Sequence, residues 1–373
     1  MKRVMFDLQL SSFDVDGKLK IESDSNYQFL KGLLEAIRSE FEPIILLPNS
    51  LTYPQVEKLF GGVSGNGTTI CLVEYGDDYY SARFKLDWGG VCKGIANTKP
   101  DLIWTNNPMW VHFYRAALRK LKMDIPVVCY NHWIDLPSTP KEQGKYSLAM
   151  LQAAGMLNAD MTMANSIWGL KLIRDGVSQM GLETIDVRKA FAFPPPIRSG
   201  YHSGEVFGYC VYNHRISSHP YYRDALERMR TLMSGLGMEV VFTNPSGKEP
   251  ITDFDFPYRY VSLNWDGYMD LLSHAYCSVS TLIDAGAQWS MSLAESLACG
   301  VPTLIPRKYG YAEMLPADYP LYYDDMSEAK KKILGLMKNR PDVKKYSKHV
   351  TECYGAEASL SRMRELFARL EKG

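Results

Sequence analysis

The 373 residues carry 42 basic and 42 acidic side chains, with 46% apolar and 23% charged residues, the proportions of a soluble globular chain with room for two domains of ordinary size. Zero formal charge, divided evenly on either side of Pro196, excludes the bulk basic character of a dedicated nucleic-acid binder, and no apolar run reaches the roughly 18 residues that a spanning helix requires. The seven cysteines stand far apart with no Cys-x-x-Cys pair, which argues against a disulfide framework or zinc knuckle; the opening MKRVMFDLQLSS reads as a first strand and not a secretion signal, so a cytoplasmic location is expected.

Val4 to Leu8 is the first expected strand, and the polar stretch Ser11 to Asp24 is a long loop before a helix from Asn26 to Ser39. Phe29, Leu30, Leu33, Leu34 and Ile37 give that helix one apolar face. Ile44 to Leu47 reads as a strand buried on both faces. A loop after the first strand of a doubly wound sheet is where ligands sit, so Ser11 to Asp24 is either an acceptor-side loop or a surface excursion. The glycine-rich GGVSGNG from Gly61 to Gly67 lacks the Lys-Ser/Thr ending of a phosphate loop and precedes the β-rich TTICLVEY; it reads as a hairpin or inter-element turn.

Asp101 to Trp104 is a strand, and Thr105 to Pro108 opens a helix bearing His112, Phe113, Tyr114, Arg115, Arg119, Lys120 and Lys122. The strand Pro126 to Tyr130 leads directly into Asn131-His132-Trp133. Asn165 and Ser166 follow the next strand and cap a helix starting at Ile167. Phe193-Pro194-Pro195-Pro196-Ile197 is stiff and non-helical, the best domain boundary in the chain. Beyond it come a strand from Val206 to Tyr212, a helix from Asp224 to Leu236, strands from Glu239 to Thr243 and Tyr258 to Leu263, and Asn264 as N-cap to a helix from Asp266 to His274. Tyr276 to Thr281 is a strand, the small residues of Asp284-Ala285-Gly286-Ala287 permit a tight turn, and Met291, Leu293, Ala294, Leu297 and Ala298 repeat at helical spacing. Glu295 lies on or beside that apolar face, where a carboxylate needs a partner. Gly300 is placed as a helix C-cap before the strand opened by Val301-Pro302. Three helices, 327–337, 342–352 and 356–370, close the chain.

Glu295-Ser296-Leu297-Ala298-Cys299-Gly300-Val301-Pro302 resembles the nucleotide-sugar-binding signature of glycosyltransferase family 4, in which a Glu, seven residues and a second Glu precede an Ala-Cys-Gly-x-Pro turn. The resemblance implies that Glu295 accepts hydrogen bonds from the ribose of a nucleoside diphosphate, a task for an ionised carboxylate. The first Glu of the pair would fall at Ala287, which leaves Asp284 or Gln288 to hold the donor sugar. Asn213-His214-Arg215 occupies the place of the family's Gly-Arg-Leu motif, so Arg215 is the expected diphosphate ligand, its planar guanidinium suited to bidentate contact. The family's following Lys is missing; His219, Arg223 or Lys248 is the candidate second cation. Asn264 ends the strand near which the family holds the nucleobase, and Gly310 and Glu313 match its Gly-Gly-x-x-Glu segment. His132 matches a histidine that faces the donor sugar, unless backbone carbonyls satisfy it. The resemblance thus assigns catalytic roles to His132, Arg215 and Glu295, and donor-binding roles to Arg215, His219, Asn264, Asp284, Gln288 and Glu295. Asn131, Trp133, Arg115 and Arg119 fall on the acceptor side.

These matches imply a GT-B fold, two α/β Rossmann-like domains with parallel sheets facing a central cleft: 1–196 with the C-terminal helix 356–373, and 206–352. The implied reaction moves a sugar from a nucleoside diphosphate sugar to a hydroxyl acceptor with retention of configuration, the leaving phosphate itself taking the acceptor proton. No metal and no cofactor are implied: no Asp-x-Asp stands at a strand end, and helix N-termini with Arg215 can bear the phosphate charge. The acceptor is open between modified DNA, a lipid at an anionic surface and a saccharide. Arg115, Arg119 and Lys122 share one helix face beside Trp110, Phe113 and Tyr114, which suits an anionic or stackable acceptor or else is a solvated face. The alternatives are a phage-type DNA glycosyltransferase acting on hydroxymethylated bases, a GT-B-like nucleotide-sugar epimerase, and a non-catalytic nucleotide-sugar binder.

Overall fold

The computed structural model of the chain describes residues 1–7, 21, 24–64, 67–74, 86–132, 134–138, 146–198, 204–214, 220–243, 254–283 and 289–372. The chain divides into two compact units, Met1–Pro196 with Ala356–Gly373, and Ile197–Gly355.

The first unit alternates strands and helices: β1 (Lys2–Asp7), α1 (Ser25–Ile37), β2 (Phe41–Pro48), α2 (Tyr53–Ser64), β3 (Thr69–Val73), α3 (Trp88–Thr98), β4 (Leu102–Thr105), α4 (Val111–Leu121), β5 (Val127–Asn131), α5 (Tyr146–Asn158), β6 (Met161–Ala164), α6 (Ile167–Gln179) and β7 (Ala190–Ala192). The seven strands run parallel in the order β3-β2-β1-β4-β5-β6-β7. Strand order therefore reverses between β1 and β4, the place where such sheets open a crevice at their carboxyl ends. The apolar runs follow from this topology, because a parallel sheet is covered by helices on both faces: Ile45 and Leu47 enter a core shared with α1 and α2, and Ile44 and Leu46 one shared with α3 to α6. Asp24 caps α1 by accepting the N–H of Asn26 at 2.8 Å.

Two sequence expectations are corrected here. Gly61 and Gly62 lie inside α2 and not in a turn. Val56, Leu59 and Phe60 of the same helix are buried, Phe60 edge-on to Tyr27, and this burial outweighs the roughly 1 kcal/mol that each helical glycine costs; the positive φ falls later, at Gly67 (85°). The helix bearing Arg115 is preceded by a separate 3₁₀ turn, Pro108–Trp110, with Asn107 accepting the N–H of Met109. The Ser11 to Asp24 loop falls mostly outside the described residues.

The second unit contains β8 (Phe207–Tyr212), α7 (Pro220–Met233), β9 (Glu239–Thr243), β10 (Tyr258–Val261), α8 (Trp265–Ser273), β11 (Ala275–Val279), α9 (Met291–Ala298), β12 (Thr303–Pro306), a 3₁₀ turn Tyr309–Glu313, β13 (Tyr322–Tyr323), α10 (Met326–Lys338) and α11 (Lys344–Tyr354). Its six strands are again parallel, ordered β10-β9-β8-β11-β12-β13, so the reversal lies between β8 and β11. The closing helix α12 (Ala356–Leu370) belongs to the first unit, where Leu360, Met363 and Leu366 join the α1 core and Phe367 stacks on Phe41. Among the described residues no helix is long and apolar enough to cross a membrane.

Candidate functional site

The carboxyl ends of β8 and β11 are tied by side chains. His214, just past β8, places Nε2 2.5 Å from the Ser280 hydroxyl, and the Tyr212 and Thr281 hydroxyls lie 3.2 Å apart. Burial holds the His214 pKa down to about 3, so its imidazole is a neutral hydrogen-bonding group. The first two turns of α9 are fastened to the same point. Ser290 caps the helix, Ser292 donates to the Asn213 carbonyl at 2.9 Å, and Ser296 donates to Asn213 Oδ1 at 3.2 Å. Asn213 Nδ2 is left buried without a partner among the described residues. A helix N-terminus held at a strand-order reversal offers free N–H groups to an anion.

Glu295 follows in the next turn of α9 and is buried, 6% exposed. Trp265, the first residue of α8, donates its indole N–H to Glu295 Oε1 at 3.3 Å. The Arg198 guanidinium lies over the same indole, 3.5 Å from the ring centroid. Burial pushes the Glu295 pKa up to about 7, with the Trp265 N–H and then the Arg198 charge pulling it down. The carboxylate is therefore held between two states near neutrality. Asn264 brings Trp265 there by capping α8, its Oδ1 accepting the Gly267 N–H at 2.9 Å. The far end of α9 closes as the sequence motif suggests: Gly300 has φ 73°, and the N–H groups of Gly300 and Val301 return to the carbonyls of Leu297 and Ser296, a left-handed cap that a side chain strains. In the 3₁₀ turn after β12 the left-handed residue is Tyr309 (φ 56°) and not the neighbouring Gly310, while the Tyr311 ring stands 6.4 Å from that of His214.

Of the residues singled out from the sequence, the second unit brings Glu295 and Asn264 into one neighbourhood, and Arg223 is exposed on α7. Arg215, His219, Lys248, Asp284, Gln288 and Trp133 lie outside the described residues. In the first unit, His132 sits edge-on to Phe29 (4.9 Å) and Tyr130 (4.6 Å). Its Nε2 is buried without a hydrogen bond among the described residues, and burial holds its pKa down to about 3. Asn131 is spent partly on structure, Nδ2 donating to the Met163 carbonyl of β6 at 2.7 Å. Arg115 pairs with Asp160 at 2.6 Å and donates to the Asn158 carbonyl, whereas Arg119 is exposed. Sequence reasoning passed over Trp265, Arg198 and Asp7. Only Trp265 had a local signal, its place directly after a helix cap. Among the described residues no group of three or more His, Cys, Asp or Glu side chains is placed to hold a metal ion.

No protein-family model matches the sequence, and a search of curated proteins returns no match. Solved structures do match over the whole chain. A sucrose-phosphate synthase from Thermosynechococcus elongatus is 13% identical, with 100% of both chains covered and a TM-score of 0.69. Anabaena HepE, solved with UDP-glucose, is 10% identical, with 99% of this chain and 100% of that one covered and a TM-score of 0.68. A glycosyltransferase from Rickettsia africae ESF-5 is 11% identical, with 100% and 99% covered and a TM-score of 0.63. At such identities the likeness is one of fold, and the fold is GT-B: two Rossmann-like units, each built on a parallel sheet.

Proposed function

We propose that the protein is a glycosyltransferase that moves a sugar from a nucleoside diphosphate sugar to a hydroxyl acceptor, with retention of configuration and without a metal ion. The observation that carries this reading is the placement of Glu295, a nearly buried carboxylate in the second turn of a helix whose N-terminus meets the strand-order reversal of the second sheet. A ribose offers two adjacent hydroxyls, and an ionised carboxylate is acceptor-only, so the two are complementary. The first turn of α9 and Arg215 then receive the diphosphate, whose developing charge they stabilise as the sugar leaves. The leaving phosphate takes the acceptor proton, and Glu295 serves by holding the donor. His132, neutral and with Nε2 uncommitted, suits a sugar hydroxyl better than a phosphate. HepE was solved with UDP-glucose, which makes that compound the first donor to test.

For the acceptor we favour a saccharide hydroxyl over DNA or an anionic lipid surface. The Arg115 charge is already balanced by Asp160, which weakens the basic face of α4 as a phosphate platform.

The test is binding and turnover with a panel of nucleotide sugars, screened by thermal shift. Glu295→Gln and Arg215→Ala should each raise the donor Kd at least about tenfold, since each removes hydrogen bonds to a charged group. Donor affinity unchanged in both folded variants overturns the assignment. Mass spectrometry of the products separates transfer from isomerisation of the sugar, and tight donor binding without turnover marks a binder.

A further inference from the structure

Glu295 is buried, and a buried carboxyl needs a partner to stay charged. Its neighbours come from three places in the second unit: Trp265 and Tyr268 on α8, Arg198 before β8, and Cys299 on its own helix. Burial raises the Tyr268 phenol well above its ordinary value and the Cys299 thiol to about 12, so both are neutral wherever the protein is folded at ordinary pH. Arg198 is the cation of this set. It reaches Glu295 by its charge and through the ring between them: its planar guanidinium rests 3.5 Å from the centroid of the Trp265 ring, and the indole edge presents its N–H to Glu295 Oε1 at 3.3 Å. The cation on the face holds the ring in place, and the N–H at the edge holds the carboxylate.

Resting on the donor-site reading above, we propose that Trp265 and Arg198 are positioning residues that keep Glu295 ionised and fixed toward the ribose hydroxyls, and thereby set the pH range in which the donor is bound. A protonated Glu295 gains an O–H and loses its charge and part of its acceptor capacity, so it can no longer receive both hydroxyls equally well. Burial pushes Glu295 up to about 7, so donor affinity falls as the pH drops through neutrality. Without the indole N–H, or without the arginine charge, the carboxyl takes up its proton at higher pH and the fall begins earlier. The neighbouring His214 stays neutral over this range, and a sugar-esterified diphosphate keeps its charge.

The experiment measures UDP-glucose affinity by calorimetry from about pH 5.5 to about pH 8.5, for wild type, Trp265→Phe, Arg198→Ala, Arg198→Lys and Glu295→Gln. Wild type should lose affinity about tenfold on acidification across this range. In Trp265→Phe, which keeps an aromatic ring and removes the N–H, the midpoint should move up by about half a unit to one unit. Arg198→Ala should shift it the same way, and Arg198→Lys should restore part of the shift because the charge returns without the stacked plane. Glu295→Gln supplies the baseline, weak at every pH and without this titration. Circular dichroism on each variant confirms folding, and the conservative pair Trp265→Phe and Arg198→Lys serves if the alanine variant does not fold. Midpoints equal to wild type in Trp265→Phe and in the folded Arg198 variant, with Glu295→Gln still weak, overturn this proposal and leave the donor site standing. Glu295→Gln binding as tightly as wild type overturns the donor site and the proposal with it.

Discussion

The Asp7 carboxylate accepts the backbone N–H of Asn106 at 3.0 Å across 99 residues of sequence, joining the carboxyl ends of β1 and β4 where the strand order of the first sheet reverses. The Thr105 and Tyr114 side chains face the same group, yet burial dominates and pushes its pKa from 3.8 up to about 7. For an acid raised in this way, the folded state keeps a proton that the unfolded chain has released. The stabilisation is full below the unfolded value and is lost as the pH rises toward about 7.

Asp7→Asn should remove that dependence. The amide keeps an oxygen for Asn106 and adds N–H groups for the neighbouring hydroxyls, so the variant is expected to be more stable than wild type near about pH 8, by about 1–3 kcal/mol, and to lose this advantage near about pH 5. Urea unfolding at the two pH values checks it. Parallel curves for the two proteins would count against a buried, proton-holding Asp7.

His214 has the opposite sign. Burial lowers its pKa from 6.5 to about 3, so the unfolded chain takes up a proton that the folded one refuses, and stability present above about 6.5 is lost progressively on acidification. His214→Gln, which can still bond Ser280, is expected to flatten the acid limb of the unfolding profile between about pH 6.5 and about pH 4. His132 adds a second such limb in the first unit, so the variant flattens the profile only in part. An unchanged acid limb contradicts the expectation.

Gly300→Ala places a Cβ on a residue at φ 73° that closes α9 through two backbone hydrogen bonds. The expected cost is about 1–2 kcal/mol, read from urea unfolding at neutral pH. A neutral substitution would mean that the helix end that anchors Glu295 is not held by this cap.

Arg115→Ala/Arg119→Ala tests the acceptor. With Arg115 paired to Asp160, wild type should bind neither duplex DNA nor anionic liposomes appreciably at moderate salt, and the double variant should behave alike, with a stability loss of about 1 kcal/mol or less from the ion pair. Salt-dependent DNA or liposome binding that the double variant lacks would reverse the preference for a saccharide.

Metal independence is checked by turnover in excess EDTA, which is expected to equal turnover without chelator. Loss of activity restored by manganese would refute it.

By itself the sequence determined what local chemistry can determine. The alternation of strands and helices followed from hydrophobic runs and their period, and the caps at Ser166, Asn264 and Gly300 were legible because a capping side chain or a left-handed glycine acts within a few residues of itself. The helix bearing Glu295 could be placed for the same reason. What only the tertiary structure decided is which groups lose their water and whom they then meet. Burial is set by chain segments that sequence spacing does not bring together: Trp265 reaches Glu295 across 30 residues, Asn106 reaches Asp7 across 99, and Asp160 neutralises Arg115 from the connection between α5 and β6. The Gly61-Gly62 pair shows the same limit in the backbone. Its intrinsic preference reads as a turn, but buried Val56, Leu59 and Phe60 hold it in α2. Propensity is a local quantity worth about 1 kcal/mol per residue, whereas each buried apolar side chain contributes about 1.5–3 kcal/mol, and the larger, non-local term wins.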